Sequence, residues 1–216
     1  MKWQRLKVRR SVIKMAEPVI IDLLRHGEVQ GTHWVFRGST DVALSQTGWL
    51  QMQTVAEQVS SIAFSQIASS PLSRCRLFAE SFAAQQNTSC EILTDMREMD
   101  FGDWEGHGAQ HIDETDLHQF LTNPVGFCPP QGESFDSFAA RVIKCWQTWL
   151  QAADGEHRLL VTHGGVMRVL LAFCLDMPLA SINRLHVPYA AWSRISLLEG
   201  ERPRVLFMNR GDTCAD

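Results

Sequence analysis

The sequence lacks the features that mark secreted, membrane-spanning and zinc-stabilised proteins. Its six cysteines are scattered, with no C-x-x-C pair and no short spacing of the kind found in zinc sites. It has no run of 18 apolar residues, and no apolar run of seven or more follows the basic N-terminus before Glu17 and Pro18. These absences argue against a disulfide scaffold, a secretion signal and a membrane partner. We therefore expect a protein of the reducing cytoplasm.

Acidic residues are also missing from the first fourteen positions, where six basic residues lie. The remaining chain has 14 basic and 24 acidic residues, and a surface of that charge is a poor partner for nucleic acid. We expect residues 1–16 to be a basic extension that is disordered or not translated, since blocks of like charge are usually disordered. Residues 17–216 have the length of a single domain. Any anionic ligand must then be held by locally gathered arginines.

Short apolar runs and stretches of helical spacing follow one another along the chain, as in α/β proteins. The first run, VIIDLL at 19–24, is rich in branched residues and predicts a strand buried on both faces of a parallel sheet. Further strands are predicted at 67–70, 90–94, 158–162, 192–198 and 205–208. Helices are predicted at 45–60, 71–84, 133–149 and 166–174. We expect Ser45 and Glu133 to cap helices, Pro71 to lie in a first helical turn, and the glycine-rich stretch 101–108 to form a surface loop.

Two of these strands end in a histidine that is followed by glycine: His26 after the first strand and His163 after the strand at 158–162. Ligand sites of open α/β sheets lie at the carboxyl ends of strands, and glycine lets the backbone approach a ligand closely. A single strand-end histidine is more often a core or turn residue, so the pair is the informative observation. Neutral imidazole is a nucleophile that can accept a phosphoryl group, and planar guanidinium binds phosphate bidentately. Arg25, and Arg74 at the start of a predicted helix, are therefore the candidate phosphate ligands.

Four segments together resemble the histidine phosphatase (phosphoglycerate-mutase-like) superfamily in order and spacing. They are LRHGE at 24–28, SSPLSR at 69–74, REMDFGDWEG at 97–106 and VTHGG at 161–165. The resemblance covers roughly residues 18–208. It implies an α/β fold, a three-layer sandwich in which helices cover both faces of a mostly parallel central sheet.

The resemblance also implies roles for residues of these segments. His26 is expected to be phosphorylated, with Arg25 and Arg74 holding the phosphate. His163 is expected to contact the phosphate from the other side, and Glu98 matches the proton donor of the family. A carboxylic acid can protonate the leaving oxygen and then, as a carboxylate, activate the water that attacks phosphohistidine. Because positive groups stabilise the charge of the transition state, we expect neither a metal nor a cofactor.

The loop after His26 departs from the family pattern. Val29 stands where the family commonly has serine or threonine, and Thr32 stands where it commonly has asparagine. Both family residues usually help to bind phosphate or substrate, and Thr32, His33 and Arg37 are the candidates to replace them. The expected binding set thus includes Thr32, Arg37 and Gly164. For Arg37, a solvated loop arginine is an equally open interpretation.

Within the superfamily, segments 98–105 and 130–134 look most like those of the alpha-ribazole phosphatases, which remove the 5'-phosphate of alpha-ribazole phosphate in cobalamin biosynthesis. This implies a phosphomonoesterase whose partner is a small phosphorylated metabolite, working as a monomer or a homodimer. Alternatives are a broad-specificity sugar-phosphate phosphatase, a phosphoglycerate mutase, a phosphatase of phosphoproteins and a noncatalytic regulatory protein of the same fold. Mutases carry a longer segment between the acid and the second histidine than the one from Glu98 to His163, which favours hydrolysis.

A second group of histidines raises the question of a metal site. His107 and His111 have the spacing of two ligands on one helical face, and His118 follows them. Gly106 and Gly108 argue against a helix that spans the pair. We therefore expect no metal to bind there.

Overall fold

A mixed six-stranded sheet forms the centre of the fold. The structure is a computed structural model that describes residues 17–32, 35–152 and 157–211. In these ranges the strands are β1 (Val19–Arg25), β2 (Gln66–Ser69), β3 (Cys90–Ile92), β4 (His157–Thr162), β5 (Trp192–Leu197) and β6 (Arg204–Arg210). The helices are α1 (Gln46–Val59), α2 (Ser73–Gln85), α3 (Glu114–Thr122), α4 (Phe135–Ala152) and α5 (Gly164–Cys174). The extension predicted at residues 1–16 lies outside the described residues.

The sheet has the strand order β3-β2-β4-β1-β5-β6. Strands β3, β2, β4 and β1 are parallel, whereas β5 runs antiparallel to β1 and β6 runs antiparallel to β5. Parallel strands are buried on both faces, and β1 shows this directly: Leu23 packs in one hydrophobic core and Leu24 in the other. Trp146 of α4 lies in the first core and Met52 of α1 in the second. The mostly parallel sheet with helices on both faces is therefore confirmed.

The strand register brings the two histidine segments to one edge of the sheet. Arg25, at the end of β1, pairs with Thr162, at the end of β4. The amide of His26 donates to the carbonyl of Thr162 at 2.9 Å, and the amide of Ser70 donates to the carbonyl of Val161 at 3.0 Å. The residues that follow β1, β2 and β4 therefore meet where ligand sites of α/β sheets lie.

Several local expectations need correction. Helix α2 begins at Ser73 with Leu72 as its N-cap residue, so Pro71 lies ahead of the helix and not in its first turn. The third strand ends at Ile92, because a 3₁₀ turn at Thr94–Met96 takes the chain away from the sheet. The stretch 101–108 is not simply a surface loop: it contains a 3₁₀ turn at Gly102–Trp104, and Trp104 is only 5% exposed. Helix α3 and the 3₁₀ segment Leu179–Arg184 were not predicted.

Other features concern membranes, cysteines and metals. None of the helices in the described ranges combines the length and apolar composition that a membrane crossing requires. The five cysteines within those ranges are free thiols. The rings of His107 and His111 lie 6.1 Å apart, but among the described residues they join no group of three possible metal ligands.

Candidate active site

His26 is held in a single tautomer by the backbone carbonyl of the next residue, Gly27. Its side chain is 6% exposed, and Nδ1 lies 2.7 Å from the carbonyl oxygen of Gly27. Because a carbonyl only accepts, Nδ1 carries the hydrogen and Nε2 keeps its lone pair. Burial, followed by the nearby charges of Arg25 and Arg74, lowers the pKa of His26 well below its ordinary value. The imidazole is thus neutral and nucleophilic at Nε2.

Helix α1 fixes the loop that follows His26. A Cβ atom on Gly27 would lie 2.3 Å from the carbonyl oxygen of Gly48, so only glycine allows this close approach. Ser45 caps the helix as expected, since its hydroxyl accepts from the amide of Gly48 at 3.0 Å. The same hydroxyl donates to Glu28 at 2.5 Å. The helix N-terminus and the histidine loop therefore form one packed unit.

Arg25 is oriented by the segment that precedes β5. Its Nη1 donates to the carbonyl of Val187 at 2.5 Å, and its guanidinium carbon lies 4.3 Å from the centre of the Tyr189 ring. This distance is typical of a cation–π contact. Nε is buried and has no hydrogen-bond partner among the described residues. Burial lowers the pKa of Arg25, so an anion that accepts from Nε compensates a desolvated charge.

Arg74 lies on the first turn of α2, as predicted, and is 1% exposed. Two backbone carbonyls fix its guanidinium: Nη1 donates to Thr40 at 2.8 Å and Nη2 donates to Gly38 at 2.6 Å. Its Nε donates to Nδ1 of His163 at 3.2 Å. At the start of this helix the amide of Ser73 donates to the carboxylate of Asp41 at 2.7 Å, so the guanidinium of Arg74, and not the helix N-terminus, is the candidate anion ligand.

His163 lies behind this arginine, fully buried, with its ring centre 5.2 Å from that of His26. Because arginine only donates, Nδ1 of His163 is the acceptor, and the neutral ring therefore carries its hydrogen on Nε2. Nε2 donates to the hydroxyl of Ser70 at 2.6 Å. Burial and the charge of Arg74 lower the pKa of His163 well below its ordinary value. Both ring nitrogens therefore contact the protein, and the residue does not line the cavity described below.

Glu98 presents its carboxylate to the site through two backbone amides. Oε2 accepts from the amide of Gly165 at 2.9 Å, and Oε1 accepts from the amide of Met99 at 3.1 Å. A Cβ atom on Gly165 would lie 2.4 Å from Oε1. Glycine at this position therefore leaves the space that the carboxylate occupies.

The backbone around Glu98 is held by a half-buried ion pair. Arg141 pairs with Glu133 at 2.7 Å and donates to the carbonyls of Arg97 at 2.9 Å and Glu98 at 3.0 Å. The expectation that Glu133 caps α4 is wrong. Ser134 takes that position, because its hydroxyl accepts from the amide of Ser137 at 3.2 Å. Glu133 acts through Arg141 and positions the segment of Glu98.

A second carboxylate, that of Glu105, anchors the loop that holds Arg74. It accepts from the amides of Ser39 at 2.6 Å, Thr40 at 2.8 Å and Phe101 at 3.1 Å. It also accepts from the hydroxyls of Ser39 and Thr40. The carbonyls of this same loop accept from the guanidinium of Arg74. The sequence indicated no role for Glu105, because Ser39 and Thr40 lie more than sixty residues before it in the chain.

These groups surround a cavity of about 290 Å³. Of the residues predicted for the site, six line it: Arg25, His26, Arg37, Arg74, Glu98 and Gly164. Thr32 is exposed and does not line the cavity, but its carbonyl accepts from the guanidinium of Arg37. His33 lies outside the described residues.

Sequence reasoning missed a further part of the cavity wall. Arg168, Asn183 and Tyr189 line it, and the apolar residues include Phe36, Phe101, Phe120, Phe135 and Ile182. These residues come from helices, a 3₁₀ segment and loops far apart in the chain, so no local motif indicates them. Four guanidinium groups and one carboxylate face the cavity, and this excess of positive charge suits an anionic ligand.

Comparisons with known proteins identify the family of the chain. A model of the histidine phosphatase superfamily (branch 1) matches residues 21–211. An adenosylcobalamin/alpha-ribazole phosphatase of Salmonella typhimurium is 29% identical over 182 residues, which cover 82% of this chain and 90% of that protein. A protein of Citrobacter koseri named probable phosphoglycerate mutase is 31% identical over 186 residues, which cover 82% of this chain and 84% of that protein.

Solved structures show the same fold. A mycobacterial glucosyl-3-phosphoglycerate phosphatase is similar with a TM-score of 0.78 and 26% identity, over 89% of this chain and 99% of the other. The alpha-ribazole phosphatase of Shigella flexneri is similar in fold with a TM-score of 0.79 and 24% identity, over 89% of this chain and 96% of the other. The chain therefore belongs to the histidine phosphatase superfamily, and it is a phosphatase.

Proposed function

We propose that the chain hydrolyses phosphate monoesters through a phosphohistidine formed on His26, without a metal ion. The observation that carries this proposal is a buried, neutral imidazole whose Nδ1 is tied to a carbonyl. Its Nε2 has no hydrogen-bond partner among the described residues, and it lies near the charges of Arg25, which is half-buried, and Arg74, which is buried. Such a nucleophile needs no deprotonation before it attacks phosphorus.

In the first step, Nε2 of His26 forms a bond to phosphorus while the bond between phosphorus and the ester oxygen breaks. Arg25 and Arg74 hold the phosphoryl oxygens and stabilise the charge that spreads over them in the transition state. Glu98, entering as the carboxylic acid, gives its proton to the leaving oxygen. His163 keeps Arg74 in place through its Nδ1.

In the second step, water attacks the phosphoryl group on His26. The carboxylate of Glu98 takes one proton from this water, and the bond between phosphorus and Nε2 breaks. Inorganic phosphate leaves, and both His26 and the protonated Glu98 are restored for the next cycle. The four guanidinium groups supply the positive charge that a metal ion supplies in other phosphatases.

For the substrate, we propose alpha-ribazole 5'-phosphate. The name of the Salmonella typhimurium relative supports this choice, as does the aromatic lining of the cavity, which suits a leaving group with a flat ring. The second candidate is a sugar phosphate, which the likeness to the glucosyl-3-phosphoglycerate phosphatase favours. If alpha-ribazole 5'-phosphate is the substrate, an aromatic ring in the leaving group should raise the rate of hydrolysis, whereas a sugar-phosphate phosphatase should show no such increase.

The mechanism is tested by replacing His26 with alanine. The variant should lose phosphatase activity at every pH while keeping the fold, and EDTA should leave the wild-type rate unchanged. When the wild type is mixed with substrate labelled in the phosphoryl group and rapidly quenched without acid, one labelled histidine per chain should be found. His111→Ala, in which an exposed histidine is removed, is the matched control and should behave as the wild type. Retention of full activity in His26→Ala would refute the mechanism.

The substrate is tested by comparing kcat/KM for alpha-ribazole 5'-phosphate, 3-phosphoglycerate, sugar phosphates and nucleotides. We expect alpha-ribazole 5'-phosphate to exceed the others by at least about tenfold, which corresponds to 1.4 kcal/mol of transition-state binding. Equal values for all compounds would remove the assignment of substrate but leave the mechanism in place.

A further inference from the structure

Asn183 presents a fixed hydrogen-bond acceptor to the cavity. Its Nδ2 donates to the carbonyls of Phe120 at 2.7 Å and Leu121 at 3.3 Å, at the end of α3. Carbonyls only accept, so the nitrogen of the amide must face α3. Oδ1, on the other side of the same carbon, then faces away from α3. Asn183 lines the cavity, and because its Nδ2 is engaged by α3, Oδ1 is the atom of this amide that remains to accept a bond from a ligand.

Arg168 presents donors from the adjoining wall. It lies on α5, and its Nε donates to the carbonyl of Leu185 at 2.8 Å. This bond fixes the plane of the guanidinium and joins it to the segment that carries Asn183, two residues earlier. The two Nη groups carry four further N–H donors, and the residue lines the cavity. Arg168 and Asn183 thus place donors and an acceptor on neighbouring parts of one wall.

Aromatic rings flank this pair. The rings of Phe101 and Phe120 lie 5.5 Å apart at 89°, and the ring of Phe36 lies 4.9 Å from that of Phe101. All three side chains line the same cavity. A ligand in this cavity therefore meets apolar ring surfaces as well as the polar pair.

We propose that Arg168 and Asn183 form a subsite for hydroxyl groups of the leaving group. A hydroxyl can accept from Arg168 and donate to Oδ1 of Asn183 at the same time. A carboxylate can pair with Arg168 but cannot donate, so its negative charge would face an unpaired Oδ1 and it would use only one of the two groups. The subsite therefore selects phosphate esters of polyols such as ribosides over phosphorylated acids such as phosphoglycerate. This inference rests on the proposed phosphatase function and deepens it.

The test compares two ribosides that differ only in hydroxyl groups with two reference phosphates. We would measure kcat/KM for alpha-ribazole 5'-phosphate, its 2',3'-dideoxy counterpart, 3-phosphoglycerate and p-nitrophenyl phosphate. For the wild type, the hydroxylated riboside should exceed the dideoxy compound about 10- to 100-fold, the loss expected when hydrogen bonds to a charged group are removed. In Arg168→Met this ratio should fall to about threefold or less. Arg76→Met removes an exposed arginine of α2 and should keep the wild-type ratio.

Three results would overturn the proposal. They are a wild-type ratio near one, a wild-type ratio in Arg168→Met, and faster hydrolysis of 3-phosphoglycerate than of the riboside. The first result needs no variant, so it holds even if Arg168→Met does not fold. Hydrolysis of p-nitrophenyl phosphate distinguishes failure of the subsite proposal from failure of the phosphatase proposal. If this compound is hydrolysed but the riboside and its dideoxy counterpart have similar kcat/KM values, only the subsite proposal is refuted. Failure to hydrolyse any of the four compounds refutes the phosphatase proposal and the subsite together.

Discussion

Replacement of Glu105 with glutamine tests how the site holds Arg74. The carboxylate accepts from three backbone amides and two hydroxyls of the loops around it. Glutamine keeps the size of the side chain but replaces one oxygen with an NH₂ group. Whichever oxygen is replaced, at least one amide of Ser39 or Thr40 then faces a donor instead of an acceptor. The loop whose carbonyls fix Arg74 must shift to relieve this contact.

The expected magnitude follows from the number and kind of bonds lost. Leaving a buried or half-buried donor unpaired costs about 1–3 kcal/mol, and hydrogen bonds to a charged group are worth about 1.5–3 kcal/mol each. We therefore expect Glu105→Gln to lower the free energy of unfolding by about 2–3 kcal/mol. A displacement of about 1 Å of a group that positions the substrate can lower activity about 100-fold. We expect kcat/KM to fall between about 10- and 100-fold.

The assay is hydrolysis of p-nitrophenyl phosphate, combined with inhibition by inorganic phosphate and unfolding in urea. Because Arg74 binds the phosphate itself, the inhibition constant for inorganic phosphate should rise together with the loss of kcat/KM. Glu57→Gln, which changes an exposed carboxylate on α1, is the matched control and should change none of the three quantities. A Glu105→Gln protein with reduced stability but wild-type kcat/KM and phosphate inhibition would refute the argument, since Glu105 would then stabilise the fold without positioning Arg74.

Three further predictions follow from the geometry of the site. Both buried histidines have lowered pKa values in the folded protein, so below pH 6.5 the unfolded chain binds more protons than the folded one. The free energy of unfolding should therefore decrease as the pH is lowered below 6.5, by up to about 1.4 kcal/mol per pH unit for each histidine. In His163→Gln, urea unfolding at several pH values should show a weaker dependence of this free energy on pH. Gly165→Ala should keep or raise stability, because alanine favours helix, while kcat falls at least about tenfold since the Cβ displaces Glu98. Tyr189→Leu should raise the inhibition constant for phosphate by removing the contact with Arg25, whereas Tyr189→Phe should not.

Much of the fold could be predicted because local sequence determines it. The apolar runs that became β1, β2 and β4 are buried on both faces, and each precedes a turn with polar residues, so their boundaries were correct to within one or two residues. Ser45 was predictable as a cap because its role involves only the next few residues. His26, Arg25 and Arg74 could be proposed because they follow strands or begin helices, and these positions converge in any parallel sheet.

The remaining site residues could not be predicted because they depend on contacts between distant segments. Helix α3 is only nine residues long and has no fully buried residue, although it supplies Phe120 to the cavity. Glu133 lies just before a helix, where glutamate often acts as a cap, but its carboxylate instead forms an ion pair with Arg141, eight residues later. Asn183 lies in a 3₁₀ segment whose orientation is set by packing on α5. Periodicity contains no information about any of these three contacts.

The way in which the guanidinium groups are anchored explains how the site stays strongly positive. Arg25, Arg37, Arg74 and Arg168 each donate to a backbone carbonyl, and in the described ranges none of them lies within 4.0 Å of a carboxylate as an ion pair. A carbonyl orients an arginine but has no net charge, so it leaves the attraction for phosphate almost intact. A carboxylate in the same place would neutralise the cation and compete with the substrate. The cost is that desolvation is not offset by an ion pair, and burial accordingly lowers the pKa of Arg25 and of Arg168. A phosphate dianion that enters the cavity relieves this cost, so part of the energy that holds the substrate is already stored in the folded protein.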